Sequence, residues 1–275
     1  FEVLIVDDNS SPSLESIIRE QETNYQIKYI RIPYNILKNP NHARNIGLMS
    51  SDSDNVVILD SDIIVAPHFT ANLAIKQQFT KDCLFVGFRE NVNRMSETKC
   101  QADISKDWRH TVIIDDSFHD FIHVNINGER HRIQGKLNIL NKTNFFKDFG
   151  YGKSLAYWDL PSMVIGHCIA FSRQRAIESG GFPEIFFGWG IEDIAFGANM
   201  IANNQYIIPS LNTVNSHIIH RSKIDFKKSL VELKANIKRY LDYANLDFSP
   251  RFPNYEIRKY DAEPTKKYFL EVVKK

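Results

Sequence analysis

Two aspartates separated by one residue, Asp60 and Asp62, directly follow the apolar run at residues 56–59. A continuous apolar run of this length is typical of a strand that is buried on both faces. Ligands of open α/β sheets bind beyond the carboxyl ends of the strands. Paired carboxylates there form an oxygen-rich site suited to Mg²⁺ or Mn²⁺, and Mg²⁺ commonly accompanies phosphate. A plain Asp-Ser-Asp turn is the competing interpretation of the same residues.

Three further groups of polar residues have types and spacing that suit a nucleotide-sugar site. Asp7 and Asp8 end the first apolar run of the chain. Residues 188–193 read Gly-Trp-Gly-Ile-Glu-Asp, and glycines of this kind allow tight turns and close approach of the backbone. His217 and His220 follow later in the sequence.

These groups can be combined into one reaction. Asp62 with one of the two histidines can bind a divalent ion that bridges two phosphates and neutralises a departing diphosphate. A separate carboxylate must accept a proton from the attacking hydroxyl, and Glu192 and Asp193 are the candidates. Trp189, between two glycines, offers an aromatic face for a sugar ring. The structural alternatives are a helix-start charge pair, a core tryptophan and ordinary strand-end histidines.

The composition narrows the class of protein. The chain has 275 residues, of which 43% are hydrophobic and 24% charged, as is typical of a globular protein with a sizeable core. A net charge of +1 argues against a broad nucleic-acid interface. We find no apolar run that could span a membrane and no signal peptide, and we expect a cytoplasmic protein, peripheral at the inner membrane face through its substrate. The three cysteines form no metal pattern and are expected to be free thiols (Cys83, Cys100 and Cys168).

Strand and helix patterns alternate in the N-terminal part. Strands are predicted at residues 3–6, 27–32, 56–59 and 83–88. Helices are predicted from the Ser-Ser-Pro-Ser start at 10–13, over 41–49, and from Pro67 with Phe69, Leu73, Ile75 and Phe79 as apolar positions. This order predicts an α/β fold with a mostly parallel central sheet and helices on both faces.

The second half is less regular. Residues 91–157 show little beyond a hairpin turn at Asn127-Gly128, and we interpret them as an insertion that shapes an acceptor pocket. A strand is predicted at 164–172, a helix from Glu192 to about 203, a short strand at 207–208 and an amphipathic helix over 226–241. The tail after Asp247 is expected to wrap the surface. One domain would then cover residues 1–222, with donor half 1–90 and catalytic segment 164–222, and residues 223–275 would pack on it.

Four segments together resemble the signatures of a known family. They read Val-Asp-Asp-Asn-Ser at 6–10, Ala-Arg-Asn-Ile-Gly at 43–47, Leu-Asp-Ser-Asp at 59–62, and Gly-Gly-Phe-Pro-Glu-Ile-Phe-Phe-Gly-Trp-Gly-Ile-Glu-Asp at 180–193. The first three resemble family 2 glycosyltransferases of the Rossmann-like GT-A fold. The fourth resembles a segment shared with galactosyltransferases and N-acetylgalactosaminyltransferases. The strand with which such enzymes usually begin is not found before Glu2, so either the chain lacks an N-terminal piece or another segment fills the gap. An exposed sheet edge there would allow the chain to form a homo-oligomer.

The resemblance implies a role for each matching residue. Asp193 would be the catalytic base. The acceptor would be bound by Trp189, Gly190 and Glu192. The donor would be bound by Asp7 or Asp8, Arg44, Asp60 and Ser61. The metal would be bound by Asp62 and His220, with Asp60 in support and His217 as the weaker histidine candidate. Asn199 stands where the family often has an arginine.

The sequence therefore predicts a metal-dependent, inverting glycosyltransferase. It would move a hexose or N-acetylhexosamine from a UDP-sugar to a hydroxyl of a free, lipid-linked or protein-linked glycan, with Mn²⁺ or Mg²⁺ as cofactor. One alternative is a nucleotidyltransferase acting on sugar phosphates, although the Gly-rich basic loop usual in such enzymes is not found. The other is a non-catalytic module that binds a glycan or a nucleotide.

Overall fold

The computed structural model describes residues 1–33, 39–93, 121–126, 129–134, 160–219, 226–244, 255–262 and 267–274. The strands are β1 (Glu2–Asp7), β2 (Gln26–Arg31), β3 (Asn55–Leu59), β4 (Ile63–Ile64), β5 (Cys83–Asn93), β6 (Phe121–Ile126), β7 (Glu129–Gln134), β8 (Cys168–Ser172), β9 (Tyr206–Ile219), β10 (Tyr255–Ala262) and β11 (Lys267–Lys274). The helices are α1 (Glu15–Glu20), α2 (Pro40–Ser50), α3 (Phe69–Phe79), α4 (Arg173–Glu178), α5 (Glu192–Ala202) and α6 (Phe226–Ala244). The chain divides into two compact units. Unit 1 comprises Phe1–Val56, Ile177–Glu192 and Asp225–Lys275, and unit 2 comprises Val57–Ala176 and Asp193–Ile224.

Unit 1 contains a four-stranded sheet in the order β1-β2-β11-β10. β1 and β2 are parallel, β2 and β11 are parallel, and β10 and β11 are antiparallel. Alternate residues of β2 face two apolar clusters, one with Ile27 and Tyr29 beside α1 and one with Ile30 beside Ile46 of α2. α2 begins at Pro40 because Asn39 caps it by accepting a hydrogen bond from the backbone N–H of Asn41.

Two predictions for unit 1 were wrong. The tail after Asp247 does not simply wrap the surface, because β10 and β11 extend the sheet beside β2. β10 begins with alternating apolar and polar residues and β11 is mostly apolar, whereas Pro250, Pro253 and Pro264 lie outside both strands. α1 begins at Glu15 after Leu14, so Pro12 precedes the helix instead of lying in its first turn.

Unit 2 contains a seven-stranded sheet. Five of its strands are hydrogen-bonded side by side in the order β3-β8-β5-β7-β6, and β9 pairs with both β5 and β4. β5 and β9 are parallel, whereas β5 pairs antiparallel with β8 and β7. β9 is far longer than the two-residue strand predicted at 207–208, and it extends to Ile219. β6 and β7 form the predicted hairpin, and its turn at Asn127-Gly128 lies outside the described residues.

The predicted mixed α/β class is confirmed, but the strands belong to two sheets, and antiparallel pairs accompany the parallel ones. The hairpins β6–β7 and β10–β11 explain part of the difference, because short connections allow only antiparallel pairing. Cys83 and Cys168 are buried free thiols, as predicted, and both pack in the core of unit 2. Ile75 was wrongly placed on the apolar face of α3, since it is 55% exposed.

The insertion at 91–157 and Cys100 lie largely or wholly outside the described ranges. Within those ranges, none of the helices combines the length and the hydropathy needed to cross a membrane. β1 is the end strand of the sheet in unit 1, and its pairing with a second copy stays a prediction.

Candidate active site

The two aspartates of the Asp60-Ser61-Asp62 turn lie beyond the carboxyl end of β3, as predicted. The turn is closed by a hydrogen bond from the Ile63 backbone N–H to the Asp60 oxygen, at 3.2 Å. The Asp60 N–H donates to the backbone oxygen of His167, at 3.3 Å, just before β8 begins. The turn is therefore attached at its first residue to the segment that leads into a neighbouring strand.

Asp62 is paired with His217 through the register of two short strand segments. β4 and β9 are antiparallel, with Ile63 opposite His217. The N–H of Ile218 donates to the backbone oxygen of Asp62, at 3.0 Å. As a result, Nε2 of His217 lies 3.3 Å from Oδ2 of Asp62. His220, the other candidate ligand, lies outside the described residues.

Two more charged or polar side chains belong to this part of unit 2. Arg89 on β5 is attracted to both Asp60 and Asp62, and this attraction opposes the lowering of its pKa by burial. His167 is 1% exposed, and neither of its ring nitrogens makes a hydrogen bond within the described residues. Burial and the charges of Arg89 and His217 lower the pKa of His167 to about 3. A weaker interaction with the Gly87 backbone acts in the opposite direction. The His167 imidazole is therefore neutral at physiological pH.

The predicted base, Asp193, lies in the first turn of α5. Its Oδ2 accepts a hydrogen bond from the backbone N–H of Gly166, at 2.7 Å. Gly166 immediately precedes His167, whose backbone oxygen accepts from Asp60. Within unit 2, the dipeptide Gly166-His167 thus contacts both the Asp60-Ser61-Asp62 turn and the carboxylate of Asp193.

The side chains around Asp62 supply some of the ligands that a cation such as Mn²⁺ or Mg²⁺ requires. A carboxylate oxygen and an imidazole nitrogen converge; the carboxylate suits either ion, whereas the imidazole suits a transition-metal ion such as Mn²⁺ better than Mg²⁺. Among the described residues, no group of three or more His, Cys, Asp or Glu side chains could bind a metal ion. The residues present therefore fit an ion that also takes oxygens from a bound diphosphate, as Mg²⁺ commonly does.

Asp7, at the end of β1 in unit 1, is occupied by groups of the protein. Its carboxylate accepts hydrogen bonds from the Tyr29 hydroxyl at 2.5 Å, from the Ser10 N–H at 2.7 Å and from the Leu14 N–H at 3.3 Å. Arg31 lies 3.3 Å away. Burial raises the pKa of Asp7, but the hydrogen bonds outweigh this effect and leave the pKa below its ordinary value. Asp7 therefore fixes the loop that carries Asp8.

Arg44 contacts other protein groups in unit 1. Its Nη1 donates to the side-chain oxygen of Asn41 at 2.9 Å, and its guanidinium lies 5.7 Å from the ring centroid of Phe182. Asn45, one residue on, is fully buried. Its amide donates to the Phe182 oxygen and to Glu184, and its oxygen accepts from the Phe182 N–H, each at 2.8 Å. Two of the segments singled out in the sequence, 43–47 and 180–193, therefore contact each other directly.

The Gly-Trp-Gly segment is a loop of unusual backbone conformation. Gly188, Gly190 and Ile191 have φ values of 72°, 96° and 77°. Trp189 is 52% exposed, which argues against the alternative of a core tryptophan. Glu192 begins α5 and is largely buried. Its backbone oxygen accepts a hydrogen bond from the side-chain amide of Asn41, at 3.5 Å. α6 packs against the loop through Glu232 and Asn236.

Several of these residues were missed by sequence reasoning. His167 lies in the segment 164–172 that we predicted as a plain strand, and Arg89 directly follows the strand predicted at 83–88; no local pattern distinguishes either residue. Asn45 stood inside a segment that we had singled out, so its side chain could have been considered. Asn236 is a polar residue on the apolar side of an amphipathic helix, which is a usable signal for a buried hydrogen-bonded group.

Comparisons with known proteins agree with the sequence motifs. A family model described as glycosyl transferase family 2 matches residues 1–177, and one described as the N-terminal domain of galactosyltransferase matches residues 153–212. The chain is 26% identical over 207 residues to a hyaluronan synthase of Pasteurella multocida and 24% identical over 211 residues to a chondroitin synthase of Escherichia coli. Each alignment covers 75% of this chain but only 20% and 28% of those proteins, respectively, so the chain spans about a quarter of their length.

The solved structures that the chain resembles include the catalytic domain of Drosophila β1,4-galactosyltransferase 7. The TM-score is 0.46 and the identity 11%, over 99% of this chain and 93% of that one. The family 2 match extends over more than half of the 275 residues. This match decides against the two alternatives drawn from the sequence, a nucleotidyltransferase and a non-catalytic binding module. The chain belongs to glycosyl transferase family 2, the GT-A family that its motifs resemble, and is a glycosyltransferase.

Proposed function

We propose that this glycosyltransferase moves a hexose or N-acetylhexosamine from a UDP-sugar to a hydroxyl group of a glycan, with inversion at the anomeric carbon. The observation that carries the proposal is the set of contacts in unit 2 that connects the turn at 60–62 with Asp193 through Gly166 and His167. The turn offers donors suited to a cation on a diphosphate, and Asp193 offers a carboxylate suited to accept a proton. An inverting transfer needs these two functions and no enzyme nucleophile.

Asp62 and His217 are the residues that would bind Mn²⁺ or Mg²⁺, because their side chains converge to 3.3 Å. The role of His220 as a further metal ligand remains a prediction, and Asp60 supports the turn. When bound, the ion neutralises the negative charge of the departing UDP. Arg89, attracted to Asp60 and Asp62, adds a positive charge in the same part of unit 2.

Asp193 acts as the general base. The hydrogen bond from the Gly166 N–H fixes the orientation of its carboxylate. An acceptor hydroxyl attacks the anomeric carbon of the donor, the bond from that carbon to the UDP oxygen breaks, and the hydroxyl proton passes to Asp193. One displacement of this kind inverts the anomeric centre.

The donor nucleoside is bound by Asp8 in this proposal, and Asp7 positions the loop on which Asp8 lies. Arg44 and Ser61 keep their predicted donor-binding roles. Trp189, Gly190 and Glu192 bind the acceptor. Relatives named hyaluronan synthase and chondroitin synthase support a growing polysaccharide as the acceptor.

The test is a screen for UDP release. The protein is supplied with UDP-glucose, UDP-galactose, UDP-N-acetylglucosamine or UDP-N-acetylgalactosamine, in Mn²⁺, in Mg²⁺ and in EDTA. We expect slow hydrolysis of one donor that is abolished by EDTA and in Asp62→Ala. The matched control is Asp54→Ala, since Asp54 is exposed on the surface.

The screen can also contradict the proposal. A donor that turns over equally well in EDTA and in Asp62→Ala would reject the metal and its assigned ligand. Release of UDP with retention of anomeric configuration, measured by proton NMR of the transferred sugar, would reject the direct displacement. If the protein turned over nucleotide-sugars with another base and none of the four UDP-sugars, the proposal that the donor is a UDP-sugar would be rejected.

A further inference from the structure

The exposed Trp189 lies in a loop that cannot satisfy its own backbone hydrogen bonds. Three residues around Trp189 have positive φ, so the loop belongs to neither a helix nor a sheet. Backbone N–H and C=O groups in such a segment need partners from elsewhere, because leaving them unpaired costs free energy. Within unit 1 these partners come from one face of α6.

Asn236 supplies most of them. It is 0% exposed and lies on the amphipathic helix α6. Its amide nitrogen donates to the backbone oxygens of Phe187 at 3.1 Å and of Gly190 at 2.9 Å, with that of Trp189 at 3.4 Å. Its oxygen accepts from the Phe187 N–H at 3.4 Å. One carboxamide therefore contacts backbone groups on both sides of Trp189.

Neighbouring residues on the same face of α6 complete the contact. Glu232 accepts a hydrogen bond from the Trp189 N–H, at 3.1 Å. A Cβ atom on Gly188 would lie 2.4 Å from Cδ of Glu232, so a side chain at position 188 would displace the Glu232 carboxylate that contacts the loop. Arg239 donates to the Asn236 oxygen at 2.7 Å and lies 5.2 Å from the Phe187 ring centroid. The Asn236 side chain is thus held in one orientation.

From these contacts we infer that Asn236 is a positioning residue for acceptor binding, which presets the backbone of the Trp189 loop before the acceptor arrives. The inference rests on the proposed role of Trp189 in binding the acceptor sugar. Gly188 and Gly190 give the free loop access to many alternative conformations, and a ligand that must order such a loop loses affinity. Asn236 removes that cost in advance. Aspartate has the same shape but lacks the amide donors, and alanine lacks both donor and acceptor.

The first measurement needs no substrate. With Trp108 and Trp158 replaced by Phe, Trp189 is the single tryptophan. Time-resolved anisotropy, with excitation at a wavelength that tyrosine does not absorb, then reports its local motion. We expect a larger amplitude of fast motion in Asn236→Asp and in Asn236→Ala than in the parent. Lys234→Ala, an exposed change on the opposite face of α6, is the matched control. Unchanged anisotropy in both Asn236 variants, with melting temperatures that show folded protein, would overturn the inference.

The second measurement separates positioning from simple loss of stability. With the donor from the screen, p-nitrophenyl β-glycosides of glucose, galactose and the two N-acetylhexosamines serve as acceptor probes. We expect the ratio of transfer to donor hydrolysis to fall about 10- to 100-fold in the Asn236 variants, mainly through a higher acceptor KM. A purely structural role would lower both rates together and leave the ratio unchanged, which would contradict the inference. Failure of the wild-type protein to use any donor would reject the proposed function, whereas the anisotropy result would still decide the role of Asn236.

Discussion

Nε2 of His217 lies 3.3 Å from Oδ2 of Asp62, although the two residues are far apart in the sequence. The contact is a consequence of strand register, because β4 places Ile63 opposite His217 and the Asp62 oxygen accepts from the Ile218 N–H. A shift of β9 by one residue would turn His217 to the other face of the sheet. Among the histidines that the structure describes, the register therefore places His217 beside Asp62.

We predict that His217→Ala weakens metal-dependent turnover. The substitution removes the imidazole next to Asp62, so the apparent affinity for Mn²⁺ in UDP release should fall by about tenfold or more. A Mn²⁺ titration of the UDP-release rate measures this change. His68→Ala, on an exposed histidine, is the control. An unchanged Mn²⁺ titration in His217→Ala would move the metal role to His220 or to another residue.

Asp193→Asn should abolish transfer while leaving the fold intact. The amide oxygen of asparagine can still accept the Gly166 N–H, but the side chain is no longer basic. Loss of a general base typically lowers the rate about 10²- to 10⁴-fold. The turnover number for transfer and the affinity for UDP, by calorimetry, are the two readouts, with Asp54→Asn as control. Equal transfer rates in Asp193→Asn and the wild type would show that another group takes the proton.

Asn45→Ala should destabilise unit 1. The side chain makes three hydrogen bonds of 2.8 Å to Phe182 and Glu184, and alanine would remove the acceptor of the buried Phe182 N–H and the amide donor to the Phe182 oxygen. We expect the free energy of unfolding to fall by about 2–4 kcal/mol, measured by urea denaturation. Asn55→Ala, at an exposed strand start, should change it by less than about 0.5 kcal/mol. A loss as small as that of the control would mean that water replaces these bonds.

The sequence was sufficient for elements whose signal is local. β3 and helices α2, α5 and α6 follow from apolar runs and helical spacing, with boundaries close to those observed. β5 begins at the predicted residue but extends to Asn93, beyond its apolar run. The Asp60-x-Asp62 turn follows from the end of an apolar run in the same way. Each of these predictions needed only the few residues around the position concerned.

The sequence was insufficient where a partner distant along the chain decides the structure. The pairing of β11 with β2, the length of β9 and the loop around Asp7 all depend on contacts between remote segments. His167 illustrates the same limit for the site. Its importance arises from the neighbours that burial brings to it, Arg89 and His217, and these do not adjoin it in the sequence.

His167 also makes stability depend on pH. Its pKa is 6.5 in a model peptide and about 3 in the folded protein, because it is buried beside Arg89 and His217. Between these values the unfolded chain binds the proton and the folded chain does not, so the free energy of unfolding falls as the pH is lowered, by up to about 1.4 kcal/mol per pH unit. Urea denaturation in EDTA at about pH 7 and about pH 5 should therefore show a smaller loss for His167→Gln than for wild type, by about 2 kcal/mol. His68→Gln should keep the wild-type loss, since His68 is exposed. Equal losses for His167→Gln and wild type would mean that the folded protein takes up a proton at this imidazole as readily as the unfolded chain does.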